Sequence, residues 1–214
     1  MQRLRVRFSR GEAIKFISHL DIIRLWQRAL NRAGLPLAYS EGFNPHPRIS
    51  LAAPLALGVT SEAELMDIYL SRWSSPHAFT DAVTRQLPEG VAIQQVYNIA
   101  VTLPSLQSQV RFAEYRAGAA TGLGREEVEA ALNKLLDTEE LPWEHQRDTG
   151  PRRYDLRALV DDLWLIDWQP GRAEIGMRLR CDSGGSGRPE QVAAALGFDH
   201  PTSTRRTRLI LKTS

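Results

Sequence analysis

Residues 17–36, ISHLDIIRLWQRALNRAGLP, decide how the chain is read. Ser18 is a natural N-cap, and Asp21, three residues on, stands where a capping box usually carries Glu. Ile17 and Ile22 fall at the two positions of a hydrophobic staple. The spacing predicts a helix running to about Ala33 and stopping at Gly34, with Pro36 beyond it. At 100° per residue, Ile22, Ile23, Leu25, Trp26, Ala29, Leu30 and Ala33 share one side, and Arg24, Arg28 and Arg32 lie on the other. The arginine stripe reads as a solvated face steadied by Asp21, with a phosphate-tracking face as the second reading. His19 projects toward the apolar side at the first turn.

Working outward, Leu4, Val6 and Phe8 alternate with Arg3, Arg5 and Arg7, the period of a half-buried strand. That arginine row is expected to be the solvated face of a sheet; an anion-binding face is the other reading. Ile14–Phe16 is expected to be a short extended piece. Beyond the helix, Ile49–Leu51, Glu64–Leu70 and Val91–Gln95 read as strands, and a helix starts at Ser75-Pro76. The order β-α-β-β-α-β is that of a ferredoxin-like unit. Thr102–Gln109 reads as a linker. A second, looser run follows: a strand at 110–115, a helix at 124–136, a charged hairpin-like region at 143–154, strands at 163–168 and 174–180, a helix at 189–196 and a strand at 205–211. The expected fold class is therefore α+β, with two tandem ferredoxin-like (βαββαβ) units at 1–101 and 108–214.

The chain has 214 residues, 43% of them hydrophobic, a composition that permits buried cores. No run approaches the roughly 20 apolar residues of a membrane helix, and the start MQRLRVRFSR lacks a signal-peptide core. A cytoplasmic protein with no membrane contact is the expectation. The single cysteine, Cys181, excludes an internal disulfide framework and a cysteine-ligated cluster made by this chain alone. The net charge of +2 conceals an asymmetry: residues 1–60 carry nine Lys/Arg against three Asp/Glu, while the remainder is net negative. Positive charge near the N-terminal half points to anionic partners.

The loop after the first helix, YSEGFNPHPRISLAAP (39–54), mixes aromatic, imidazole and guanidinium groups on a proline-stiffened frame. Tyr39 and Phe43 are suited to stacking on bases or a peptide, Asn44 and His46 to directed hydrogen bonds, and Arg48 to a phosphate, with Ser40 beside them. Together with His19 and Asp21 these residues form the candidate RNA- or substrate-binding site, expected to share one surface. His46, an imidazole beside Tyr39 and Arg48, is the one catalytic candidate, as general acid or base. Gly185, Ser186, Gly187 and Arg188, ahead of a helix with Pro189 near its first position, are a candidate anion site; a plain loop is the other reading. The histidines His19, His46, His77, His145 and His200 show no metal-site spacing, so no metal is expected.

With these residues in view, FISHLDIIRLWQRALNRAGLPLAYSEGFNPHPRISLAAPLALGV and SEAELMDIYL resemble the radical-SAM-associated (radical-SAM-linked) domain family of unknown function. The resemblance is carried by Phe16, Ser18, His19, Leu20, Asp21, the segment Arg28–Pro36, Tyr39, Ser40, Gly42, Phe43, Asn44, Pro45 and Pro47. It is looser in the second half, through Arg152–Arg157 and Gly185–Val192. It implies an accessory role beside a radical SAM protein, linked to RNA or ribosome maturation. The iron–sulfur cluster and S-adenosylmethionine are then expected only in that partner, and no cofactor in this chain. The tandem order is also similar to that of CRISPR repeat-RNA endonucleases, a likeness of architecture alone. The leading expectation is a recognition domain presenting RNA or a ribosome-related substrate to a radical SAM protein. The alternatives are a metal-independent RNA-processing enzyme using a histidine, and a protein–protein interaction module in which Arg24, Arg28 and Arg32 meet an acidic partner.

Overall fold

In a computed structural model, which describes residues 1–145, 150–198 and 201–212, the chain divides into two units. One comprises Met1–Val110 with Lys212–Ser214, the other Arg111–Leu211. The fold is mixed α/β, with β-strands and α-helices in each unit. The first unit runs β1 (Gln2–Arg10), α1 (His19–Arg32), β2 (Ile49–Leu51), β3 (Thr60–Leu70), α2 (Pro76–Thr84), β4 (Val91–Ile99) and α3 (Leu106–Gln109). Its antiparallel strands lie in the order β4-β1-β3-β2. Ile14–Phe16 is not the extended piece expected: a 3-10 turn spans Glu12–Ile14, because Ile14 packs inward beneath the turn around Gly90.

Alternation along β1 and β3 separates two faces. Leu4, Val6 and Phe8 of β1 and Met66, Ile68 and Leu70 of β3 are fully buried, and α1 and α2 cover them with Ile22, Trp26, Leu30, Phe79 and Val83. Each such side chain contributes roughly 1.5–3 kcal/mol on leaving water. Phe8 meets Trp26 edge-on with ring centroids 4.9 Å apart, which fixes α1 against the strand. The helix begins as its sequence predicts: Ser18 Oγ accepts from the Asp21 amide, and Ile22, Trp26, Ala29 and Leu30 are its buried residues.

The opposite face departs from expectation. Arg3 and Arg5 are not solvated; they are 1% and 4% exposed. The register places Arg5 opposite Asp67 and Arg3 opposite Tyr69, and the fully buried Asp67 carboxylate holds both guanidiniums. Arg3 donates from Nε and Nη2 to Oδ2, and Arg5 from Nε to Oδ1 and from Nη2 to Oδ2. Burial works against the Arg5 charge, but Asp67, with a further contribution from Tyr97, outweighs it and raises the guanidinium's pKa. The segment expected as a linker closes this face. Leu103 and Pro104 carbonyls accept from Arg3, and Leu106 of α3 is buried. Only Arg7 of the row is exposed.

The second unit contains β5 (Val110–Ala120), α4 (Arg125–Asp137), β6 (Pro142–His145), β7 (Arg152–Asp155), β8 (Val160–Gln169), β9 (Arg172–Asp182), β10 (Gly185–Ser186), α5 (Pro189–Ala195) and β11 (Ser203–Leu211). β9 pairs with β5 on one edge and with β8 and β10 on the other, and β11 lies beyond β5. α4 packs on β8 and buries Val128, Leu132 and Leu135. β6 and β7 form a separate hairpin, and residues 146–149 of its connection lie outside the described ones. Gly176, paired with Trp164, leaves room for the indole: a Cβ there would come within 2.0 Å of it.

Replacing Asp67 with Asn leaves two buried guanidiniums without a counter-charge, and removing one partner of a buried pair costs about 3–5 kcal/mol. Urea unfolding of Asp67→Asn should show a loss of that size; a loss below about 1 kcal/mol would mean the cluster is not what holds this face.

Candidate functional site

The loop 39–48 is a closed excursion from the sheet. Tyr39 bridges Pro47, the Ser40 amide donates to the His46 carbonyl, and the His46 amide donates to Ser40 Oγ. Ser40 therefore closes the loop's base. Beyond that base, residues 41–46 are exposed, and the Phe43 ring is fully so at 106% relative accessibility. Gly42 has φ +122°, a conformation that Cβ-bearing residues rarely adopt, and it turns the chain at the tip. The His46 ring has no hydrogen-bond or ion-pair partner among the described residues, so nothing orients it as a general acid or base.

Arg48 joins this loop to the buried cluster. Its backbone accepts from the Tyr69 amide, and its guanidinium lies 4.2 Å from the Tyr69 ring centroid. Arg3 approaches the same ring at 5.4 Å. Arg3, Tyr69 and Arg48 thus form one cross-strand row running from the core to the exposed loop. The continuation of β3 adds residues that the sequence pattern did not single out. Ser71 donates to the Pro36 carbonyl, and Arg72 and Trp73 follow it exposed, Trp73 at 73%. Tyr39, Phe43, His46, Arg48, Arg72 and Trp73 consequently share one end of the first unit. The only hint of the last two in the sequence is an arginine and a tryptophan directly after an alternating strand.

His19 and Asp21 are elsewhere. They open α1, which follows the Arg10 end of β1, and the neighbouring contact is the Gly58 amide donating to the Lys15 carbonyl. The loop sits at the Gln2–Leu70 end, and a nine-residue strand puts roughly 26–30 Å between those ends. The structure does not bring the two segments onto one surface. Around α1's start Phe16 and Leu20 are exposed, His19 is half-buried, and Asp21 accepts from Ser18 Oγ and Arg24.

In the second unit the glycine stretch is a hairpin. Ser183-Gly184 turns β9 into β10, and the Gly187 amide donates to the Arg180 carbonyl. Gly185 and Gly187 press against Leu159, where a Cβ would come within 2.6 and 3.5 Å of its side chain. The Gly187 amide is thereby spent inside the fold. Arg188 lies 3.3 Å from His145 and 3.8 Å from Glu190, and Tyr154 bonds Gln191, which ties the β6–β7 hairpin to α5. His77 pairs with Asp81, and His200 lies outside the described residues. Among the described residues no group of three or more His, Cys, Asp or Glu could hold a metal, and no helix is long and apolar enough to cross a membrane.

A family model described as "Uncharacterized protein conserved in bacteria (DUF2344)" matches residues 3–189, and the chain belongs to that family. No curated protein matches it. Among solved structures, a chain of a Cbf5–Nop10–Gar1 complex is similar with a TM-score of 0.52 at 11% identity, over 97% of this chain and 48% of that one. A chain of the archaeal box H/ACA sRNP Nop10–Cbf5 complex gives 0.48 at 11% identity, over 98% and 48%. The chain spans about half the length of these relatives, and the first likeness is one of fold.

The α1 cap supplies a pH test. Hydrogen bonds from Ser18 and Arg24 hold the Asp21 carboxyl below its ordinary value. Their contribution to stability is present above the ordinary carboxylate range and is lost as pH falls through the lowered folded value. In Ser18→Ala, NMR titration should show Asp21 moving up toward its ordinary value; an unmoved carboxyl would refute the cap's role.

Proposed function

We propose that this DUF2344 protein is a noncatalytic recognition module that binds single-stranded RNA through the aromatic and basic end of its first unit. The observation that carries the reading is the fully exposed Phe43 ring on a loop closed at its base. An unburied phenyl ring on a pre-formed loop contributes nothing to the core, and it presents a face on which a base can stack at low ordering cost. Tyr39 and Trp73 offer further stacking surfaces, and Arg48 and Arg72 supply phosphate contacts.

Each unit's strand pairing is read here as ferredoxin-like, a β-α-β-β-α-β unit with its fourth strand beside its first; the second unit adds the β6–β7 hairpin and β10. The sequence resemblance to radical-SAM-associated domains supports a role for the module beside a radical SAM protein, with RNA or a ribosome-related component as substrate. On that reading the iron–sulfur cluster and S-adenosylmethionine belong to the partner.

Fluorescence anisotropy with a labelled single-stranded RNA at low salt tests the proposal. Phe43→Ala should weaken binding about tenfold, the stacking of one base being worth roughly 1–3 kcal/mol, while its thermal transition stays unchanged because the ring is exposed. Affinity should also fall steeply with added salt. Absent binding, or equal binding by Phe43→Ala, would contradict it.

A further inference from the structure

A second surface of the first unit has a different chemistry. Between α1 and the turn after α2 lies an open cleft of about 590 Å³ lined by Ile14, Ile17, Leu25, Leu87 and Pro88. Its rim carries Arg28, Arg32 and Arg85, all exposed. Two of these are held in place from behind. Arg32 donates from Nε to Gln86 Oε1 at 3.2 Å and from Nη2 to the Gln86 carbonyl at 2.7 Å, and Arg85 donates from Nε to the Asp81 carbonyl at 3.0 Å. Arg28 has no hydrogen bond or ion pair among the described residues. The remaining guanidinium donors of all three are free to meet an incoming anion, and none of the cleft's lining residues is acidic.

We infer that this cleft is a docking groove for an acidic amphipathic helix of a protein partner. An apolar floor flanked by cations complements a helix that presents a leucine-type stripe with carboxylates on either side. The arginines of α1 then have a use that a solvated stripe lacks: Arg28 and Arg32, four residues apart, stand on one helical face above Leu25. The anchored guanidiniums of Arg32 and Arg85 reduce the ordering needed on binding. No residue of the groove belongs to the loop end, so a protein partner and RNA would use different side chains.

The test uses the full chain and a fluorescein-labelled synthetic 15-residue peptide with leucines at i, i+3, i+4, i+7 spacing and glutamates between them. The expected result is saturable binding, with amide shifts at residues 14–32 and 85–88, weakened about tenfold or more in the Arg28→Glu/Arg85→Glu double variant, since like charges face to face oppose association. Both arginines are exposed, and circular dichroism should show an unchanged melting transition. No saturable binding, equal binding by the double variant, or equal binding of a peptide with lysines for glutamates would overturn the inference. So would dodecyl phosphate shifting the same amides while the peptide does not, which would make the cleft a small-amphiphile site.

Discussion

The first unit depends on one carboxylate. Asp67 takes four hydrogen bonds from Arg3 and Arg5 inside a dry face of the sheet. Two guanidiniums and one carboxylate leave a net positive charge there; the carbonyls of Leu103 and Pro104 accept further bonds from Arg3, and Gln109 Oε1 accepts one from Arg5. Buried charges are tolerated when they are paired and hydrogen-bonded, and are severely unfavourable otherwise. The segment after β4 is therefore part of the unit and not a tether, because without its carbonyls Arg3 would be left with unmatched donors.

This arrangement also explains where binding groups can sit. One face of the sheet is filled by α1 and α2, and the other is closed over the Asp67 cluster. The ends, the helix-lined margin and the stretch of sheet around Arg7 remain accessible. At one end the row Arg3–Tyr69–Arg48 runs outward from the cluster, so the loop's arginine stands on a ring backed by the core. A binding residue anchored in this way loses less freedom when a ligand arrives.

Much of α1 was legible because its signals are local: a cap three residues from its partner, an apolar stripe at helical spacing and a glycine stop. The fate of Arg3 and Arg5 was not, because the alternating pattern is the same whether the polar face meets water or a carboxylate more than sixty residues away. The same limit applies to the site. Tyr39, Phe43 and Arg48 were conspicuous by composition, but Tyr69, Arg72 and Trp73 join them only through pairing of β3 with the chain around Pro36. A helix packed on the sheet by its apolar face, and a resemblance that spans both segments, put His19 and Asp21 on the loop's surface by expectation; the length of β1 separates them. The glycines before α5 looked like an anion cradle because glycine serves a cradle and a tight hairpin equally well; here the hairpin partner is β9.

The most direct test of the account is an amide chemical-shift map of the full chain titrated with single-stranded RNA. The account predicts perturbations confined to residues 39–48 and 69–73, with α1's start at Ser18–Arg24 unmoved. Perturbation centred on Ser18–Arg24, or a map with no change at the loop, would contradict it.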